Sequence, residues 1–253
     1  MWSLGNESGA GANVAAMYGW IKDYDKSRYV QYESNNPGPN ISDILAPMYP
    51  KEDWILTSMG DSSDLRPFIM CEYAYAKSNS GGNFDEYWRL IHKFPRFQGG
   101  FLWDFQDKAL VREAADGTPR YVYGGAFGED VIDPVPDMCL NGIVFADLTN
   151  KPAAYQIRNL QSPVQSAQRF DMFRQRTVWE LQNHYHATDT AALRAEWALQ
   201  CDGRITEKGL LRLPVAGPGE SAVLELPELR EVQGEAFLNI TVKEADAAEP
   251  LYT

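Results

Sequence analysis

The sequence predicts an α/β domain followed by an all-β domain in a chain of 253 residues. Over residues 1 to about 155, short apolar runs alternate with segments whose apolar residues recur at helical spacing. That alternation is typical of a parallel sheet with helical connections. From about residue 164 the chain changes to short strand-like segments bounded by turn residues, without a convincing helix. We therefore predict domains over residues 1–155 and 156–253, with the linker near residues 150–163.

Five apolar runs are predicted as parallel strands of the first domain. They are the run that ends at Glu7 and the segments 29–32, 44–48, 68–72 and 97–104. A helix is predicted after the first run, because four apolar residues follow the spacing of a core-facing helix: Val14, Met17, Tyr18 and Ile21. Pro50 opens a second predicted helix, and Asn83 is a predicted N-cap for a third.

The second domain is predicted to be a β-sandwich. Its predicted strands are residues 177–181, 193–200, 222–226 and 237–242. Asp202 and Gly203 are typical of a hairpin turn. Several short strands separated by turn residues indicate two packed antiparallel sheets.

Composition excludes several classes of partner. The net charge is −12 and no basic stripe is present, which argues against nucleic acid as a partner. The three cysteines are odd in number and far apart in sequence, which favours reduced thiols over a disulfide framework. Neither a leader peptide nor a long apolar stretch is evident, so we expect a cytoplasmic protein without a membrane partner.

Two glutamates stand at the ends of predicted strands, Glu7 in the first and Glu72 in the fourth. In barrels of parallel strands the working residues lie at the carboxyl ends of the strands, so both carboxylates are expected on one rim. Such a pair is what glycoside cleavage requires, since one group protonates the leaving oxygen and the other attacks or positions water. The alternatives are a helix cap at Glu7, or structural carboxylates paired with arginine.

Six motifs in order resemble the bacterial β-galactosidases of glycoside hydrolase family 2. They are SLGNESG at 3–9, MY at 48–49, CEYA at 71–74, QGGFLWD at 98–104, YGG at 123–125 and CLNG at 139–142. The resemblance implies that the first domain is a partial (β/α)8 TIM barrel, comprising strands 4 to 8. It also implies that the second domain is the immunoglobulin-like β-sandwich that follows the barrel in that family.

The same resemblance assigns roles to individual residues. Glu7 corresponds to the general acid/base and Glu72 to the nucleophile of a retaining β-galactosidase. Tyr49 corresponds to the tyrosine that hydrogen-bonds the nucleophile. Trp103 corresponds to the floor of the galactose pocket. On this residue alone a position in the barrel core is equally expected, but the adjacent Asp104 and the run Phe101-Leu102 favour the rim. The residues assigned to substrate binding are Asn6, Tyr49, Tyr75, Trp103 and Asn141.

The resemblance also bears on metal ions and on specificity. The Met138 carbonyl and Asn141 correspond to a sodium site beside the 6-hydroxyl of the sugar. Magnesium is not expected, because most of the family's ligands for it have no counterpart in this sequence. Tyr75 stands where the family usually has a histidine that contacts the sugar.

The expected function is hydrolysis of terminal β-D-galactose from β-galactosides such as lactose. The alternative is a non-catalytic piece that binds sugar or complements a longer chain. A β-glucuronidase or β-mannosidase relative is disfavoured, because those branches resemble Asn-Glu-Pro where this sequence has Asn6-Glu7-Ser8. Five parallel strands do not close a barrel of eight, so we also expect a homo-oligomer that covers the open edges.

Overall fold

The computed structural model describes most of the chain, and it divides that part into two compact units. The units are Met1–Ala154 and Tyr155–Thr253. The described residues are 1–33, 37–77, 80–130, 139–229, 234–245, 247 and 250–251. No helix among them is long and apolar enough to cross a membrane.

The first unit contains two pairs of parallel strands. The strands are β1 (Trp2–Asn6) with β2 (Val30–Glu33), and β3 (Phe68–Tyr73) with β4 (Phe97–Leu102). The segment 43–49 lies between the pairs, since Asp43 N donates to Val30 O at 2.8 Å and Leu45 forms a parallel bridge with Phe68. The predicted strand 44–48 is thus two isolated bridges rather than a continuous strand, and Pro47 has no N–H to donate.

Four helices are described, and the first corrects one predicted core residue. They are α1 (Ala12–Tyr24), α2 (Glu52–Gly60), α3 (Phe84–Lys93) and α4 (Pro152–Leu160). In α1, Val14, Tyr18 and Ile21 pack on an apolar cluster that includes Leu4, as predicted. Met17 was predicted to join them but is 47% exposed. The apolar stripe is rotated so that Ala15, rather than Met17, completes it.

The other helix starts differ slightly from the predictions. The second helix begins at Glu52 with Lys51 as its N-cap, two residues after Pro50. Asn83 does occupy the N-cap position of α3, but its φ is 64° and its side chain makes no capping bond. The linker predicted over residues 150–163 is largely α4, which begins at Pro152 and buries Ile157. Proline is favoured at a first helical position, because the missing N–H has no partner there anyway.

The second unit consists of two three-stranded antiparallel sheets with the orders β11-β8-β7 and β10-β9-β12. The strands are β7 (Val164–Asp171), β8 (Arg176–Asn183), β9 (Leu193–Cys201), β10 (Arg204–Leu211), β11 (Ser221–Leu224) and β12 (Ala236–Glu244). Both sheets contribute to one apolar cluster, Leu181 and Leu224 from the first and Ala195 and Val242 from the second. Four of these strands were predicted, and β7 and β10 were not.

Two hairpins differ in how far the sequence predicted them. Asp202 and Gly203 connect β9 to β10 with φ values of 44° and 79°, so the predicted turn is confirmed. In the first unit, β5 (Leu110–Glu113) and β6 (Pro119–Val122) form a hairpin that was not predicted. Three of its apolar side chains are at least half exposed: Leu110, Val111 and Tyr121. The hairpin therefore lacks the alternation of buried apolar and exposed polar residues by which a strand is recognised in a sequence.

A tight crossing of two chain segments fixes the main chain around residue 142. A Cβ atom at Gly142 would lie 2.2 Å from Asp107 N and 2.3 Å from Gln106 C. Gly142 N also donates to Asp107 Oδ1 at 2.8 Å, and Lys151 Nζ donates to the same oxygen at 2.7 Å. Since the crowded atoms belong to the backbone, no side-chain movement relieves the contact.

Gly142→Ala should therefore lower the free energy of unfolding by about 1–3 kcal/mol, as expected for overpacking of a filled site. Urea denaturation of the wild type and variant measures the change. The matched control is Gly124→Ala, because a Cβ at Gly124 meets nothing within 4 Å. Equal stabilities of the two variants would contradict the close approach at residue 142.

Candidate active site

The centre of the site is the carboxylate of Glu72 at the end of β3, which is only 9% exposed. The Tyr49 hydroxyl donates to Glu72 Oε2 at 2.8 Å, as the resemblance implies. The two residues are also joined through the backbone, because Tyr49 N donates to Glu72 O at 2.9 Å. The segment 43–49 therefore holds the donor in register with β3.

Burial and neighbouring charges oppose ionisation of Glu72. Burial raises its pKa most, and the negative charges of Glu7, Glu33 and Asp104 raise it further. The hydrogen bond from Tyr49 acts in the opposite direction, because it stabilises the carboxylate. The pKa of Tyr49 is in turn raised by burial and by its bond to Glu72, so the phenol keeps its proton as donor. Four carboxyl groups thus interact at one end of the parallel strands.

Glu7 follows a bulge at the end of β1. Ser3 pairs with Gln31 and Asn6 with Glu33, so β1 carries one more residue than β2 over this interval. Gly5 lies inside the bulge with φ of 126°, and Glu7 itself has φ of 51°. Glu7 N donates to Glu33 Oε2 at 3.2 Å. The side chain of Glu7 is exposed, in contrast to that of Glu72.

Trp103 lies at the surface rather than in the core, since it is 38% exposed. The main-chain N–H of Trp103 donates to Tyr73 O at 2.9 Å, which places the residue directly after β4. Lys108 Nζ lies 4.9 Å from the centroid of the Trp103 ring and pairs with Asp104. The sequence favoured a rim position for Trp103 over a position in the core, and its exposure agrees with that prediction.

The structure places the other predicted residues as follows. The rings of Tyr75 and Tyr49 meet edge to face with centroids 6.0 Å apart. Asn141 is 1% exposed, and among the described residues neither its side-chain oxygen nor its nitrogen has a hydrogen-bond partner. Asn6 is exposed, and its carbonyl accepts the Ser8 hydroxyl at 2.9 Å. Met138 lies outside the described residues.

Sequence reasoning missed two carboxylates that interact with Glu72. Glu33 is 9% exposed and ends β2 just as Glu72 ends the apolar run of β3, so the same pattern points to it. Asp104 was noted only as a neighbour of Trp103. It accepts from Phe105 N at 2.6 Å, and its own N–H donates to Asn141 O at 3.1 Å.

Two family models together match most of the chain. The family model described as "Glycosyl hydrolases family 2, TIM barrel domain" matches residues 1–166, and "Beta-galactosidase, domain 4" matches residues 179–250. The chain therefore belongs to glycosyl hydrolase family 2. This finding confirms the resemblance drawn from the six motifs.

Two relatives from Enterobacter cloacae, "Beta-galactosidase 2" and "Beta-galactosidase", are each 38% identical to the chain over 98% of its length. The chain spans 25% of the length of each of these relatives. Among solved structures, a β-glycosidase from Bacteroides vulgatus matches 97% of this chain and 34% of its own, with 12% identity and a TM-score of 0.46.

Tyr49→Phe should raise the pKa of Glu72 further, because it removes the hydrogen bond that stabilises the carboxylate. Carboxyl ¹³C NMR titration of glutamate-labelled protein measures the pKa, with Glu72→Gln identifying the resonance. Tyr87→Phe is the matched control, since that hydroxyl donates to Pro50 O at 3.0 Å instead. An unchanged titration in Tyr49→Phe would show that the phenol does not stabilise the ionised form.

Proposed function

We propose that the chain carries the catalytic pair of a retaining β-galactosidase, with Glu72 as nucleophile and Glu7 as general acid/base. The observation that supports this most is the buried Glu72 carboxylate held by Tyr49 at 2.8 Å, with the charge of Glu7 acting on it. The names of the two relatives that are 38% identical support galactose as the sugar.

In the proposed reaction, Glu72 Oε attacks the anomeric carbon while Glu7 gives its proton to the leaving oxygen. The bond from that carbon to the leaving oxygen breaks, and a galactosyl-enzyme ester forms on Glu72. Water then attacks the same carbon, gives its proton to Glu7, and Glu72 leaves as a carboxylate. Two inversions return the β-configuration. The Tyr49 hydroxyl stabilises the carboxylate before attack and after release.

The remaining assignments place the sugar against the rim of the strands. Trp103 offers an exposed ring for the apolar face of galactose, and Asn6, Tyr75 and Asn141 are proposed to contact its hydroxyls. The buried Asn141 amide has no hydrogen-bond partner in the part of the chain that the structure describes, so its oxygen is compatible with a sugar hydroxyl or a sodium ion. Sodium held by this oxygen and the Met138 carbonyl would attract the 6-hydroxyl. Among the described residues, no group of three His, Cys, Asp or Glu side chains is placed to hold a metal ion.

The fold assignment is part of the proposal. We assign β1, β2, the segment 43–49, β3 and β4 to strands 4 to 8 of a TIM barrel, because they are parallel and follow one another in that order. We assign the two sheets of the second unit to an immunoglobulin-like sandwich, since both bury side chains in one cluster.

A second candidate function is sugar binding without turnover. The exposure of Glu7 favours it, because the proposed acid/base is not shielded from water when no sugar is bound. Sugar binding alone would still use Trp103 and Asn141. Turnover distinguishes the two candidates directly.

The chain should hydrolyse 4-nitrophenyl β-galactoside, and Glu72→Gln should abolish the reaction, since the amide does not form the covalent intermediate. The first product seen by ¹H NMR should be β-galactose, and the two carboxyl groups should lie about 5–5.5 Å apart in a sugar complex. Saturable galactose binding by the wild type without turnover would support the second candidate instead. An α-product would contradict the retaining mechanism.

We also propose that the chain self-associates through the edges of β1 and β4, which pair only with β2 and β3 among the described strands. Met1, Trp2 and Phe101 are 56%, 41% and 58% exposed, and Met1 and Phe101 line an open cavity of about 220 Å³. Apolar surface of this kind is often covered by another chain. Light scattering at micromolar concentration should give at least twice the monomer mass of 28.5 kDa. A monodisperse monomer would contradict this proposal.

A further inference from the structure

We infer that Glu33 is a positioning residue for Glu7: its carboxylate holds the main chain at the end of β1 and thereby aims the acid/base side chain. This inference rests on the proposed function of Glu7. It is carried by the bond from Glu7 N to Glu33 Oε2 at 3.2 Å and by the burial of Glu33, which is 9% exposed.

The geometry explains why Glu7 needs such a partner. The bulge between Ser3 and Asn6 adds one residue to β1, and an extra residue turns the following side chains relative to the sheet. Glu7 then adopts φ of 51°, a left-handed conformation that non-glycine residues rarely take. Residues in sparsely populated conformations persist only where surrounding contacts hold them.

Glu33 supplies that contact from the neighbouring strand. A bond from a main-chain N–H to a carboxylate is charge-assisted and therefore stronger than a bond between neutral groups. Because Asn6 pairs with Glu33 in the parallel register, the carboxylate reaches the N–H of the very next residue. The β1–β2 register thus helps to determine the orientation of Glu7. A small error in the orientation of a catalytic group lowers the reaction rate strongly.

The activity test compares leaving groups. Glu33→Ala should lower kcat/KM, which reports the step that forms the galactosyl-enzyme, by about 10- to 100-fold on β-galactosides with poor leaving groups, because they need a well-aimed proton donor. The same variant should change kcat/KM little on 2,4-dinitrophenyl β-galactoside, whose leaving group needs little protonation. Glu33→Gln keeps an acceptor oxygen at the same position on the side chain and should retain most of the rate on both substrates. Equal loss on both substrates in Glu33→Ala would mean a general structural role and overturn the inference.

Two further variants make the comparison specific. Glu7→Ala should show the same dependence on leaving group, and azide should partly restore its rate by taking the place of the lost side chain. Azide should not help Glu33→Ala, where the Glu7 side chain is still present. Asp171→Ala is the matched control: Asp171 is 7% exposed and accepts from Phe173 N and Arg174 N, but it lies in the second unit. A leaving-group effect in this control would also overturn the inference.

Amide hydrogen exchange tests the inference without turnover. In ¹⁵N-glutamate-labelled protein, the Glu7 amide is identified by its loss in Glu7→Ala. Its exchange should be about tenfold faster in Glu33→Ala than in Glu33→Gln, which corresponds to the loss of one hydrogen bond of ordinary net strength. Equal exchange in the two variants would refute the inference. A parent chain without turnover would contradict the proposed function, whereas the exchange measurement would still decide the role of Glu33.

Discussion

The arrangement of the site depends on the backbone ladder between the segment 43–49 and β3. Ile69 N donates to Leu45 O at 3.0 Å, Cys71 N to Pro47 O at 3.0 Å, and Tyr49 N to Glu72 O at 2.9 Å. This ladder fixes Tyr49 beside Glu72, so that the hydroxyl reaches the carboxylate although the two residues are 23 positions apart in sequence. A slip of one residue would turn each side chain to the opposite face of the sheet and separate the pair.

At three places where a parallel paired segment ends, the backbone adopts a left-handed conformation. Glu7, Tyr49 and Ala74 have φ values of 51°, 42° and 70°, and each follows or ends a paired segment. A non-glycine residue in this region costs on the order of 1 kcal/mol or more, and such residues concentrate at functional sites. Two of the three are side chains of the proposed site. Part of the local strain thus lies at the ends of the parallel strands, while Asn83, Leu148, Gln175 and Asp202 have positive φ values elsewhere in the described chain.

The sequence predicted the strands better than the contacts between their ends. Apolar runs and turn residues identified β1 to β4, and the terminal glutamates followed from the position of working residues in parallel barrels. The strand-end pattern points to Glu33 as well, but its contact with a main-chain N–H was hidden, because that N–H is made available by a bulge that no periodicity reports. The crowding at Gly142 was equally hidden, since it arises between segments 35 residues apart. The exposed β5–β6 hairpin carries no burial pattern from which it could be predicted.

The unequal burial of the two glutamates indicates what the substrate must contribute. Glu72 is already withdrawn from water and held by Tyr49, whereas Glu7 is exposed. An ionised carboxylate tolerates burial only with a donor of this kind, so the Tyr49 hydroxyl makes the burial of Glu72 compatible with its proposed role as nucleophile. The proposed acid/base Glu7 has no comparable shielding in the protein itself, so a bound sugar would have to exclude water from it.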